Sequence, residues 1–421
     1  MTYIEFFDKT FIENICASLT NPPERVILIG DNKKILESQA QRYTQILLKR
    51  GFEVEFIYRT VNKNNMNNVL ETLSKIIETY EDCVFDLTGG EDVYLVATGI
   101  IFERYKDKNI QMHRFNLRNN TIHDCDFDGK TIFESDIPEL TIEENIQVYG
   151  GDVVYDDMKP DTTPRWDFEG DFADDVDAMW DVCRNDVRLW NTQIGVFSEA
   201  EQLRDSDSDE LTTTVSLSSL KEHLERMGVK YVFIRRIING LYNAGLISAQ
   251  EDEYTFSITY KNEQVKKCLT KAGQVLEMKI YVSALRSCEK DGSYTYNDVM
   301  NGVYIDWDGD IHTEQEGHDT ENEIDVMMMH GMVPVFVSCK NGYIDMDELY
   351  KLNTVASRFG GKYAKKVLVA TALDGKSDFA KQLRERAKDM QIKVVPSSDK
   401  EKIQDMNDAK LQRVVKSFWN S

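Results

Sequence analysis

Proline is rare in this 421-residue chain, at 7 residues, and histidine rarer still, at 6. So little proline, beside 41% hydrophobic and 29% charged residues, excludes a fibrous or wholly disordered chain and points to globular domains. No run approaches the roughly 18 consecutive apolar residues of a membrane span. Met1 to Asp8 lacks the basic start and apolar stretch of a signal peptide, so a cytosolic chain with no membrane partner is expected. The seven cysteines are widely spaced and form no C-x-x-C pair, which argues against a disulfide framework or a thiolate zinc site. Positive charge is also short: 50 Lys and Arg stand against 73 Asp and Glu, a formal charge of −23. Such a balance disfavours non-specific phosphate binding by the whole chain. It is unevenly spread, because Asp152 to Asp177 holds ten acids against Lys159 and Arg165, while Gly361 to Ser421 carries a local net of +6. The C-terminal end can therefore face phosphates.

At roughly 100 to 200 residues per domain the length suggests two to four domains. The first 150 residues alternate strand and helix signals. Val26 to Gly30 is a buried-strand run, Lys33 to Gly51 is helical in pattern, and Phe52 to Ile57 alternates like a strand. A helix over Asn68 to Tyr80, a strand at Cys83 to Leu87, a helix over Tyr94 to Tyr105 and strands at Gln111 to Asn116 and Thr121 to Asp126 continue the series. This order predicts a mostly parallel sheet with helices on both faces, whose ligands sit in loops at the carboxyl ends of strands. Gly30-Asp31-Asn32 and Thr88-Gly89-Gly90 are two such loops.

Asp152 to Asp177 and Asp205 to Glu210 read as acidic connectors, with a short helical segment at Ala173 to Asn191 between them and weak packing expected. Amphipathic Ser216 to Met227, a helix over Lys230 to Asn243, and two strands at Leu246 to Ser248 and Tyr254 to Tyr260 outline a winged helix-turn-helix. Arg235 and Arg236 sit where a DNA reader places contacts, but Glu222, Glu225, Glu251, Asp252 and Glu253 crowd them and favour a spacer or dimer element.

From about Gly273 the pattern becomes α-β-β-β-α-β: helix 274–288, strands 302–307, 322–329 and 334–339, helix 345–359, strand 367–371. Strand side chains alternate, so Glu323 shares a face with Asp325, and Ser338 with Lys340. A tight hairpin at His330-Gly331 would join the two pairs. Strand-borne acids beside a Lys suit metal-dependent phosphodiester hydrolysis: carboxylates hold Mg²⁺ or Mn²⁺, the ion activates water, and the Lys steadies the nucleophile or the developing charge. Glu277, on the preceding helix, adds a carboxylate. Spacing alone equally describes solvated strand edges; the apolar settings of Asp325 and Lys340 favour a site, because charged groups there are costly without partners. Lys362, Lys365 and Lys366 are candidates for holding a nucleic-acid backbone. His312, His318 and His330 lack metal-ligand spacing and read as exposed loop residues, and the five tryptophans as core or interface residues.

Asn322-Glu-Ile-Asp-Val326, Phe336-Val-Ser-Cys-Lys-Asn341 and Gly273-Gln-Val-Leu-Glu277 resemble the PD-(D/E)xK restriction-endonuclease superfamily, in the branch fused to CARF domains in type III CRISPR systems. Phe85-Asp-Leu-Thr-Gly-Gly90 is similar to the nucleotide loop of those CARF domains. The resemblance implies an α/β fold in three parts: a Rossmann-like CARF sensor over 1–150, an acidic linker and winged-helix-like segment over 151–268, and a restriction-endonuclease-like αβββαβ domain over 269–421. It implies a homodimer that binds cyclic oligoadenylate, most simply cyclic tetra-adenylate, through Gly30, Asp31, Asn32, Thr88, Gly89, Gly90 and Glu91. The bound ring would switch on metal-dependent cleavage of DNA, RNA or both. Asp325 then resembles the metal-binding Asp, Lys340 the catalytic Lys and Glu277 the helix-borne acid. Two positions depart from the pattern. Ser338 stands where an acid is usual, so Glu323 and the Cys339 carbonyl would complete the metal shell. Glu91-Asp92 replaces a Thr-Lys pair, leaving phosphates to backbone N–H groups, the helix N-terminus and the Thr88 hydroxyl. The alternative is a ligand-responsive winged-helix transcription regulator whose nuclease domain has decayed at Ser338.

Overall fold

The computed structural model describes residues 1–117, 121–125, 131–134, 138–155, 162–204, 209–309, 321–373, 377–398 and 401–420. His312, His318 and most of the two acidic loops expected around them and at 205–210 lie outside the described residues.

Three sheets organise the chain. The first half gives β1 (Thr2–Phe6), α1 (Cys16–Thr20), β2 (Arg25–Gly30), α2 (Lys33–Lys49), β3 (Glu55–Thr60), α3 (Met66–Thr79), β4 (Cys83–Asp86), α4 (Asp92–Arg104), β5 (Gln111–Asn116), β6 (Thr121–Asp124) and β7 (Thr131–Glu134). Their order is β3-β2-β1-β4-β5-β6-β7, parallel from β3 to β5 and closed by an antiparallel β5-β6-β7 meander. Alternate residues of the strands feed opposite faces: Ile4, Phe6, Ile27 and Phe85 pack under α3 and α4, while Tyr3, Val26 and Leu28 pack under α1 and α2. The expected parallel sheet with helices on both faces is thus present.

Next come α5 (Ile142–Val148), β8 (Asp152–Val153), α6 (Phe172–Cys183), α7 (Val187–Gln202), β9 (Thr212–Ser216), α8 (Leu217–Arg226), α9 (Arg235–Asn243), β10 (Ile247–Glu251), β11 (Thr255–Tyr260) and α10 (Glu263–Thr270). The second sheet, β10-β11-β9, with α8 and α9 makes the expected winged helix, with a third strand that the sequence reading lacked. Its second helix starts at Arg235 rather than Lys230. Residues 230–234 run non-helical up to that start, and the Ile234 N–H is taken by Gln193 Oε1 at 2.7 Å.

The expectation of weak packing before the wing is overturned. Phe172, Val176, Met179, Trp180 and Cys183 on α6 and Trp190, Ile194 and Phe197 on α7 are all buried in one core with the wing. Their spacing puts apolar residues on one stripe; Asp174 and Asp177 lie off it, where both meet Arg286 and Asp177 also meets the buried Lys279, while the buried Asp175 is paired with Lys261.

The last part holds α11 (Gln274–Leu285), β12 (Asp298–Asp306), β13 (Glu321–His330), β14 (Val333–Lys340), α12 (Asp347–Gly360), β15 (Lys365–Ala370), α13 (Asp378–Asp389), β16 (Ile392–Val395) and α14 (Asp408–Lys416). The third sheet runs β16-β15-β14-β13-β12-β8, with β14, β15 and β16 parallel and the others antiparallel. Its edge strand β8 comes from the segment ahead of the winged helix. One face (Val326, Met328, Val335, Val337) meets α11 and the winged module; the other (Met327, Met329, Phe336, Leu368) joins an apolar cluster continuous with the first sheet through α5. Asn145 on α5 ties the two halves by donating to the Phe359 carbonyl at 2.8 Å. Among the described residues no helix is long and apolar enough to cross a membrane.

Candidate active site

The hairpin β13-β14 and the start of α11 bring the expected residues together. Val326 pairs with Val337, and one step outward Ser338 Oγ donates to Asp325 Oδ2 at 3.3 Å while the Cys339 N–H donates to the same oxygen at 2.6 Å. Asp325's own carbonyl accepts from Asn301 Nδ2 at 2.8 Å, and Asn301 in turn accepts from Gln274 Nε2 at 3.0 Å, so α11, β12 and β13 are pinned at this point. Glu277, Glu323 and Asp325 each offer a carboxylate oxygen, and the three oxygens lie within 4.8 Å of one another. Lys340 Nζ stands 3.9 Å from Asp325 Oδ2.

Electrostatics define the cluster's character. Glu277 is 6% exposed; burial first and the Asp325 charge second push its carboxyl above the ordinary carboxylate range. Burial likewise raises Asp325, opposed by Lys340 and by the Cys339 N–H. One Glu277 oxygen, Oε2, is buried with no hydrogen-bond partner. Three converging carboxylates with an orphaned buried oxygen are a donor set suited to a hard divalent cation. Ser338, where an acid was expected, acts as a hydrogen-bond donor to Asp325, and Glu323 occupies the third carboxylate position.

The structure adds residues that sequence reasoning missed. Glu348, in the first turn of α12, holds Lys340 Nζ at 2.9 Å and Lys351 at 3.2 Å; Lys271, just before α11, holds Glu323 at 2.6 Å. Burial works against both Lys271 and Lys340, but the surrounding carboxylates outweigh it and keep both charged. A cleft of about 80 Å³ opens between Glu323, Asp325, Ser338, Lys340 and α12. Glu348 had a sequence signal, an acidic pair at a helix start three residues before a Lys; Lys271 had none.

Of the three lysines after α12, Lys366 is corrected. Lys366 is 9% exposed and donates to Asn353 and to the Met390 carbonyl, and Lys362 binds Glu13 of the first domain. A lysine buried to this degree and turned to inward acceptors is a structural group, so Lys366 does not hold a nucleic-acid backbone. His330 is not an exposed loop residue either: its ring stacks on Trp419 with centroids 3.8 Å apart and its Nδ1 lies 2.6 Å from the Thr295 carbonyl.

In the first domain, the loops Gly30-Asp31-Asn32 and Thr88-Gly89-Gly90-Glu91 lie side by side at the carboxyl ends of β2 and β4. Lys63, after β3, joins them, pairing with Asp31 at 3.0 Å and Glu91 at 2.7 Å. It places an ammonium between these two loops, and the strand-end rule that picked them reaches it as well. Asn32 accepts from the Lys34 and Ile35 N–H groups and so caps α2. The Thr88 hydroxyl donates to Asp86 and accepts from the Phe115 N–H at 2.8 Å, so its hydrogen faces inward rather than toward a ligand. Gly90 has φ +103°, and a Cβ there would lie 2.6 Å from Phe6 Cβ, so no larger residue fits the turn. Beside Phe115 a cavity of about 640 Å³ opens between β5, β6 and Lys362-Tyr363, lined also by Arg114, Asn116 and His123.

The sequence matches no family model and no curated protein. Two solved structures share its fold over the whole chain. Protein VC1899 from Vibrio cholerae superimposes with a TM-score of 0.69 at 15% identity, covering 100% of this chain and 97% of that one. Can2 from Sulfobacillus thermosulfidooxidans, in complex with cyclic tetra-adenylate, gives 0.64 at 18% identity with the same coverage. The expected architecture, a Rossmann-like first domain, a winged-helix module and an αβββαβ core, is present in this chain, and these two proteins share its fold.

Proposed function

We propose that this chain is a CARF-type ancillary nuclease of type III CRISPR defence: cyclic oligoadenylate, in the first instance cyclic tetra-adenylate, activates metal-dependent cleavage of DNA, RNA or both. The observation that carries the reading is the carboxylate triad Glu277, Glu323 and Asp325 set beside Lys340 on a PD-(D/E)xK-like hairpin. The fold shared with a protein that binds cyclic tetra-adenylate supports the activator. Gly30 to Asn32, Thr88 to Glu91 and Lys63 line the ligand end of the sensor, and two chains related by a twofold axis would present the symmetric surface a cyclic ligand needs.

Glu277, Glu323, Asp325 and the Cys339 carbonyl are the groups that would hold Mg²⁺ or Mn²⁺, which supplies charge neutralisation on the phosphate and an acidified water. The chain does the rest. The Cys339 N–H and Ser338 hydroxyl fix the Asp325 carboxylate so that one oxygen stays aimed at Glu277 and Glu323. Lys340, charged and steadied by Glu348, places an ammonium beside the cluster where negative charge grows in the transition state.

The test incubates the purified protein with supercoiled plasmid, single-stranded DNA and single-stranded RNA, with Mg²⁺ or Mn²⁺, with and without cyclic tetra-adenylate, beside Asp325→Ala and Lys340→Ala. Cleavage that needs ring and metal and is lost in both variants is the expected result. Measurable ring binding with no cleavage under any ring size would overturn it and leave the winged-helix regulator.

A further inference from the structure

A second cavity, about 340 Å³, opens beside the carboxylate triad between α11, β12 and residues 162–166. We propose that it receives one unpaired base of a single-stranded nucleic-acid substrate, next to the phosphate at the triad. This rests on the nuclease reading and names the substrate class of that site.

Position comes first. Tyr281, on one wall, is one helical turn beyond Glu277 on α11, about 6 Å along the axis and close to the reach of one nucleotide step. Asn301, also in the lining, is the residue that holds the Asp325 carbonyl. Pro164 and Glu323 adjoin the same glycine: from a Cβ built on Gly302, Pro164 Cδ is 3.2 Å away and Glu323 Oε1 3.8 Å. The cavity and the triad are therefore neighbours across a single residue of β12.

The walls have the chemistry of a base site. Tyr155, Trp166 and Tyr281 supply aromatic surface, and the Arg165 guanidinium lies over the Tyr155 ring at 5.2 Å from its centroid. Stacking on aromatics with help from Arg is how single strands are held without sequence preference. The Trp166 indole N–H is buried with no hydrogen-bond partner, and every base carries acceptors. Charge orients the strand. Lys271, Lys340 and Lys351 are each held by a carboxylate at 2.6, 2.9 and 3.2 Å, whereas exposed Arg165 has no ion pair among the described residues and can meet a phosphate. Glu143, also in the lining, disfavours a phosphate inside the cavity and leaves the neutral base as the part that enters. A paired base cannot enter without being flipped out, which costs binding to duplexes.

The test measures fluorescence anisotropy of a fluorescein-labelled single-stranded oligonucleotide on the full-length protein, with cyclic tetra-adenylate and Ca²⁺ present. Trp166→Ala is expected to weaken binding by roughly 5- to 100-fold, the range one stacked base supports. Because Trp166 also stacks on Phe172, Arg165→Ala, at an exposed position, is the control for folding, with a loss of about fivefold expected. An abasic residue walked along the strand should reproduce the loss at one position beside the cut, and that position should become neutral in Trp166→Ala. A flat abasic profile, Arg165→Ala binding like wild type, or no binding of the strand at all overturns the proposal. Cleavage with a flat profile would sink the pocket and keep the nuclease; the abasic pattern without cleavage under any condition would do the reverse.

Discussion

Removing one charge from the triad should stabilise the metal-free protein. Glu277→Gln keeps the volume and a hydrogen-bonding end while deleting a carboxylate that is 6% exposed. With the three acids' oxygens within 4.8 Å, two ionised members repel by roughly 3.5 kcal/mol at an effective dielectric of about 20. The wild-type protein relieves this by keeping the Glu277 proton, since burial and Asp325 raise its pKa. A carboxyl raised in this way binds more protons folded than unfolded over the window between its ordinary and its raised pKa. The folded state therefore loses ground as pH climbs through that window, and the full cost appears once Glu277 ionises. Glu277→Gln removes the share of the slope that Glu277 contributes. The variant should melt about as wild type does below the ordinary glutamate pKa, then increasingly higher as pH rises, reaching roughly 6 to 12 °C at alkaline pH for about 3 kcal/mol in a domain of this size. Mg²⁺ or Mn²⁺ should restore the wild-type melting temperature at alkaline pH and do little for the variant. Thermal unfolding across pH, with chelator and with metal, reads all of this. A variant that melts lower than wild type at alkaline pH, or that keeps the metal response, would refute the reasoning.

Three further outcomes follow from the geometry. Lys340→Ala removes the ammonium beside Asp325 and should lower the cleavage rate by about 100-fold or more without loss of ring binding, read by single-turnover kinetics and calorimetry. Gly90→Ala forces a Cβ to 2.6 Å from Phe6 at φ +103° and should cost about 2 to 4 kcal/mol along with ring affinity, read by melting and titration of cyclic tetra-adenylate. Glu13→Gln weakens the bonds from Lys362 and Tyr363, at 2.8 and 2.6 Å, by about 1.5 to 3 kcal/mol in total, and should reduce ring-stimulated cleavage while ring affinity holds. Equal stimulation in that variant would detach the contact from activation.

The sequence disclosed what periodicity and local order can carry. The hairpin β13-β14 was legible because apolar alternation ended in charged residues on one face, and the triad followed from placing Glu277 on the helix before it. The first sheet was legible from alternating strand and helix signals, and its loops from strand ends. What was hidden falls into two kinds. On α6, acid density drew attention away from a regular apolar stripe, Phe172, Val176, Met179, Trp180 and Cys183, that was there to be read. Partnerships such as Lys340 with Glu348, Lys279 with Asp177 and Asp408, and Glu13 with Lys362 join residues across elements, and only tertiary packing reveals them. Lys366 shows the converse error: its charge suggested surface, whereas its place on a central strand buries it against Asn353 and Met390.

Those partnerships supply a physical route between the two sites. Gly89 and Gly90 pack on Asp8, whose carboxylate accepts from the Gly90 N–H at 3.3 Å and from the Thr10 N–H at 2.7 Å. The same short stretch presents Glu13, 2% exposed, to Lys362 and Tyr363. These two follow directly on α12, whose first turn carries Glu348 against Lys340. A ligand that displaced the Thr88 to Gly90 loop would act on Asp8, and any motion of Glu13 would pull on the C-terminal end of a rigid 14-residue helix whose other end positions the lysine. A helix transmits such a shift with little loss, because its backbone hydrogen bonds resist bending. If a ring activates cleavage by this route, as proposed, reciprocity requires that whatever holds Lys340 in its working position also tightens the ring, so a tightly bound substrate should raise ring affinity by the same factor as the ring raises substrate affinity.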